Sequence, residues 1–158
     1  MPRFAILALA VVFASCDAVS IGEAQRQFEL AAIGLPSGYT RTDADGDVIS
    51  RDEADWNVSP LYQSSFTLTF PPYPNAASFT QNVQFAGTYS AGGAGLVPYR
   101  INPRGDLVRI LGITGSTDGT APLFSFPAGQ LGEAGLHRVV LTDNLGRFVT
   151  YGDIQVIP

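Results

Sequence analysis

Lysine is absent from this chain, and cysteine, histidine and tryptophan occur once each, at Cys16, His137 and Trp56. A single cysteine excludes an internal disulfide and any paired-thiol redox or zinc site, so the fold has to be held by burial. A single histidine cannot by itself supply the partners that a general base or a metal ligand needs, and His137 reads as a packed or edge residue of a strand. Gly-x-Ser-x-Gly and Cys-x-x-Cys are missing, and Gly92, Gly93 and Gly95 have no lysine beside them to hold a phosphate. These absences speak against an enzyme and against a cofactor. Cationic surface is also scarce: the formal net charge is −5, which argues against nucleic acid and against adsorption to anionic lipid. All nine basic residues are arginine, a bias that GC-rich coding explains, with a salt-adapted acidic surface as the alternative.

Long apolar runs are missing too, except for one. Phe4 to Phe13 carries ten residues without a polar side chain. As a helix it would span about 15 Å, half of a hydrocarbon core of roughly 30 Å, so it is too short to stay in a membrane. One positive charge at Arg3, a short apolar stretch and then small residues form the layout of a cleavable export signal. Phe13-Ala14-Ser15-Cys16 resembles the lipobox of bacterial lipoproteins, with Phe13 where that family prefers leucine. The resemblance implies that Cys16 becomes the N-terminus, with diacylglycerol on its sulfur and a fatty acid such as palmitate on its amine. The competing reading is an ordinary secretory signal cleaved after Ala18. Removing residues 1–15 takes Arg3 away and moves the charge to −6.

Seventeen glycines and eleven prolines suit a turn-rich β protein. The one helical stretch, residues 23–32, places Phe28, Leu30 and Ile33 loosely on one side and ends at Gly34-Leu35-Pro36. It is expected to be part of a tether. From Tyr39 onward short apolar runs alternate with turn clusters. Residues 65–70 alternate strictly, which puts Phe66, Leu68 and Phe70 on one face. Phe79, Val83 and Phe85 share a parity, as do Val97, Tyr99 and Ile101. Residues 107–111, 123–126, 136–141 and 148–156 bring the count to seven strands, the number and spacing of an immunoglobulin-like antiparallel sandwich. Three turns read Asp/Asn-x-x-Gly-x-apolar-apolar, from Asp43, Asn102 and Asp143, and predict hairpins closed by a glycine with positive φ. The expected organisation is a signal over 1–15, a lipidated, partly helical tether over 16–38, an acidic hairpin and lead-in over 39–60, and the sandwich over 61–158.

Pro72-Tyr73-Pro74-Asn75, Asn102-Pro103-Arg104-Gly105-Asp106-Leu107-Val108 and Ala134-Gly135-Leu136-His137-Arg138-Val139-Val140 together resemble C-terminal immunoglobulin-like domains of secreted bacterial proteins. These are the sorting domains of type IX export, related to flagellar-hook cap modules. Ala76 stands where that family has a second proline, and His137 where it has tyrosine. The resemblance implies the sandwich fold and, through it, an export-associated cargo role.

Two constellations invite a ligand. Asp43, Asp45, Asp47, Asp52 and Glu53 suggest calcium, but counted as an EF-hand loop from Asp43 the sixth position is Val48 and Glu53 falls one residue short. Trp56 and Tyr62 flank a polar stretch, and an exposed pair there would stack on a sugar ring. The expectation that follows is a non-catalytic module of the cell envelope, joined to membrane lipid through acylated Cys16 and touching an envelope protein or glycan. A calcium- or glycan-binding surface module is the alternative.

Overall fold

Three turns set the frame of the molecule, whose computed structural model describes residues 21–90, 95–114 and 124–158. At each, the side-chain Oδ1 of Asp43, Asn102 or Asp143 accepts the N–H groups two and four residues on, all at 2.9 Å. Gly46, Gly105 and Gly146 follow at φ of 93°, 87° and 78°, the left-handed region that glycine enters without a Cβ clash. The first turn joins β1 (Arg41–Thr42) to β2 (Val48–Ser50), and the second joins β6 (Val97–Ile101) to β7 (Leu107–Arg109). The third joins β10 (Gly135–Thr142) to β11 (Phe148–Ile157). One local device, repeated, makes three antiparallel hairpins.

The protein is mostly β. Its remaining strands are β3 (Phe66–Tyr73), β4 (Ala77–Ser78), β5 (Asn82–Tyr89), β8 (Ile113–Thr114) and β9 (Phe124–Pro127). They form a five-stranded sheet in the order β4-β11-β10-β6-β7, a four-stranded sheet β3-β5-β9-β8, and the small β1-β2 ribbon. All seven strands expected from the sequence are present. The difference lies in the added short strands, and in β4, which runs parallel to the end of β11. Strands of two or three residues carry no alternation of their own and exist only because a neighbour offers a pairing edge.

The two larger sheets share one core. Val83 and Phe85 of β5 and Phe124 and Phe126 of β9 meet Val139 and Leu141 of β10 and Ile154 and Val156 of β11. Each pair is two apart, as a pleated strand with one buried face requires. Five expected core positions fall outside it; Val97, Tyr99 and Ile101 of β6 are only half-buried, and Pro98 between them is the buried residue. Phe79 lies before β5 and is exposed, while Phe70 is 42% exposed. Register shifts flank Phe70, so the alternation that Phe66 and Leu68 obey is broken by a bulge. Phe70 instead packs edge-on against Tyr73, with ring centroids 6.1 Å apart.

Helix α1 (residues 21–32) lies on the outer face of the five-stranded sheet. Its sheetward stripe is Gln25, Phe28, Glu29 and Ala32, at helical spacing; Leu30 and Ile33, expected on the packed side with Phe28, are about half exposed. Hydropathy misplaces the face because its deepest polar residue, Gln25, is satisfied by the Ser59 hydroxyl at 2.5 Å and by Glu29 at 2.8 Å. Phe28 reaches Tyr151 of β11 with centroids 4.9 Å apart. The described part of the expected tether is therefore packed on the sheet.

Candidate functional site

The polar groups of this protein concentrate where α1 and the following loop meet β10 and β11. Arg138 and Asp153 are directly opposed across those strands, both on the outer face and both buried. The Arg138 guanidinium binds both carboxylate oxygens of Asp153 and also donates to the carbonyls of Ala31 at 2.7 Å and Leu35 at 3.3 Å. Those carbonyls lie at and just beyond the C-terminal end of α1, where helix carbonyls lack a partner and the helix dipole favours a cation. Asp153 also accepts the Ser37 N–H at 2.9 Å. Tyr151 stacks under Arg138, 4.8 Å from guanidinium carbon to ring centroid. The result is a pin that fixes the N-terminal helix to the sheet.

Beside the pin, a polar cleft of about 420 Å³ is lined by Arg51, Asp52, Glu53, Asp55, Trp56 and Thr67 among others. Asp55 is its most perturbed acid. Burial pushes its pKa up to about 7, against the N–H groups of Thr40 and Asp153 that it accepts at 2.7 Å each, and the nearby charge of Asp153 adds to the rise. Both oxygens are spent on backbone, tying the lead-in to β1 onto β11. A folded pKa raised above the unfolded value of 3.8 stabilises the fold fully below about pH 4, and that contribution is lost as pH rises through 7. Asp143 runs the other way. Burial favours its neutral form, but the Tyr62 hydroxyl at 2.6 Å, the Arg147 and Leu145 N–H groups and the Arg147 guanidinium outweigh burial and hold its pKa at about 2. Its contribution is present above about pH 4 and fades as pH falls towards 2. Denaturant titrations at pH 4.5 and pH 8 are expected to show the protein more stable at the lower pH, by up to roughly 3–4 kcal/mol. Asp55→Asn is expected to flatten that difference while lowering stability at both. An unchanged slope in the variant rules Asp55 out as its source.

The residues that the sequence singled out are placed as follows. Cys16 lies outside the described residues, as do Gly92 and Gly93. Trp56 is 6% exposed and Tyr62 4% exposed, so both belong to the core and do not form the exposed pair that the sequence suggested. Trp56 packs on Phe85 at 5.6 Å, and its backbone, at φ 58°, donates to the Tyr151 carbonyl. The calcium reading rests on Asp43, Asp45, Asp47, Asp52 and Glu53. Among the described residues no three His, Cys, Asp or Glu side chains converge as a metal site. Asp43 spends an oxygen closing its own turn, and Asp52 caps the Ala54 N–H at 2.9 Å. His137 is half-buried on β10, its Nε2 2.7 Å from the Glu133 carbonyl.

Sequence reasoning missed Asn75, Asp55, Arg138 and Asp153. Asn75 is completely buried; it donates to the Thr40 and Asp153 carbonyls at 3.0 Å each and accepts the Gln155 N–H at 2.9 Å. It stitches the lead-in to β1 and the segment before β4 to β11. The only local hint was polarity inside otherwise apolar strands, as at Arg138 and Asp153. Among the described residues no helix is long and apolar enough to cross a membrane. No protein-family model, curated protein or solved structure matches this chain.

Proposed function

We infer that this chain is a lipid-anchored, non-catalytic module of the bacterial cell envelope, an immunoglobulin-like sandwich that makes contacts with another envelope component. The observation that carries the reading is the apolar run Phe4–Phe13 followed by Ala14-Ser15-Cys16, five residues ahead of Ile21, the first residue of α1. Five residues reach about 18 Å at full extension, so an acyl group on Cys16 would hold the α1 end of the sandwich against the headgroups. One acyl chain anchors marginally and two or three hold almost irreversibly. A non-catalytic role is supported by the way the hydrogen-bonded acids of the interior are used. Asp55, Asp143 and Asp153 each hold backbone N–H groups of a neighbouring segment or of their own turn, and the last two also bind an arginine. The six longer strands and the core shared by two sheets support the immunoglobulin-like reading.

Labelling with radioactive palmitate and intact-mass analysis test the anchor. The expected product begins at Cys16 and carries fatty acid, and Cys16→Ser leaves the chain unlabelled and out of the membrane fraction. A mature chain that begins beyond Cys16, or bears no acyl group, defeats the reading.

A further inference from the structure

Strand β10 is longer than one of its neighbours. It pairs with β11 over Gly135 to Thr142, but β6 faces only Val139 to Thr142. Beyond Arg100 the chain of β6 turns away into the 102–105 hairpin, so Gly135 to Arg138 have a registered partner on one side only. A strand edge left open presents backbone donors and acceptors in register for another chain. Here the open edge lies within a groove of about 810 Å³, bounded by the end of α1 on one side and the β6–β7 hairpin on the other. Ile33, Leu35, Ile101, Pro103, Leu131 and Leu136 give it apolar walls. Leu35 is 90% exposed, an apolar side chain left in water at the rim.

The charge of this groove is opposite to that of the molecule. Arg100 and Arg104 line it, and neither forms an ion pair among the described residues. Arg138 is neutralised by Asp153, which leaves Glu133 as the single acid in the lining. A net-acidic chain thus keeps two uncommitted arginines beside an unpaired strand edge.

We propose that this groove binds an extended peptide segment of a partner protein, apolar at alternate positions and acidic between them, as an added strand on the open edge of β10. Main-chain hydrogen bonds to Gly135–Arg138 supply affinity, the apolar walls take alternate side chains, and Arg100 and Arg104 select for acid. Four residues of edge span about 13 Å, which sets the length of the recognised strand. The proposal rests on the contact role inferred above for its purpose, but not on acylation, which intact mass reports separately.

The test uses the full chain in detergent micelles, isotopically labelled, with a six-residue peptide alternating valine and glutamate. Saturable amide shifts at residues 135–138 and 102–105 are expected. A lysine-for-glutamate peptide and an N-methylated peptide, which cannot pair as a strand, are each expected to bind at least tenfold more weakly. Arg104→Glu sits at an exposed hairpin tip and is expected to keep the melting temperature while weakening the acidic peptide at least tenfold. Absence of saturable shifts at millimolar peptide overturns the proposal, as does equal binding of either control peptide. Shifts produced at the same amides by laurate but not by peptide overturn it in favour of an acyl-chain site.

Discussion

Replacing Arg138 with methionine is expected to cost about 3–5 kcal/mol, the range for removing one partner of a buried ion pair. The reason is what the substitution leaves behind. Asp153 stays buried on the outer face with its cation gone, still within electrostatic reach of Asp55. The Leu35 carbonyl loses the guanidinium that binds it, and the Ala31 carbonyl keeps only the Gly34 N–H. Against a total stability of about 5–15 kcal/mol this is a large fraction, and a drop of roughly 10 °C or more in thermal midpoint follows. The double variant Arg138→Met with Asp153→Leu is expected to recover much of the loss, because no unpaired charge is then buried. Hydrogen exchange separates the pin from general destabilisation: amides of residues 21–32 should lose protection before those of β10 and β11. Equal loss across helix and sheet, or a double variant worse than the single, would show that the pair does not act as the pin described here.

Gly152→Ala is expected to have an effect of similar size for a different reason. Gly152 lies on the inner face of β11, and a Cβ built there overlaps the Trp56 indole at Cε2 and Nε1 and the Asp55 carboxylate at Oδ1. None of these is the loose end of a flexible side chain. The indole is wedged against Phe85 and its backbone is bonded to Tyr151, while Asp55 is held by two backbone N–H groups. Overpacking of this kind costs about 1–3 kcal/mol, and breaking the Asp55 bonds adds about 1–3 more. Gly105→Ala supplies the contrast. Its φ is positive but nothing stands within 4 Å, so only the conformational penalty, about 1–2 kcal/mol, applies. Trp56 is the sole tryptophan, so its emission reports the displacement directly; a red shift is expected in Gly152→Ala and none in Gly105→Ala. A Gly152→Ala protein with unchanged emission and a midpoint within 2 °C of the parent would refute the close approach.

The hairpins were legible because their chemistry is contained in five consecutive residues. Asp43, Asn102 and Asp143 bond to N–H groups no more than four positions away, and the glycine that each turn needs lies three positions on. The longer strands were legible for a similar reason, since one buried face imposes period two wherever no bulge intervenes. Phe70 escaped because a bulge is a property of two strands together. Trp56 and Tyr62 were open to a surface reading because a lone aromatic carries no record of what covers it. The candidate contact groove left no local trace, since an open edge is defined by where a neighbouring strand stops.

Local pattern, then, determined on its own that this chain is mostly β, where its six longer strands run, and how three of its turns close. Tertiary structure alone decided that residues 21–32 are docked helix, that Asp55, Asn75, Arg138 and Asp153 are joints between segments, and that β10 outruns β6. The physical reason is distance along the chain. Turn closure and pleating are settled between near neighbours, whereas Asp153 reaches Ser37 across 116 residues and Asn75 reaches Gln155 across 80. Bonds of that span stabilise a polar side chain only after the fold has excluded water around it.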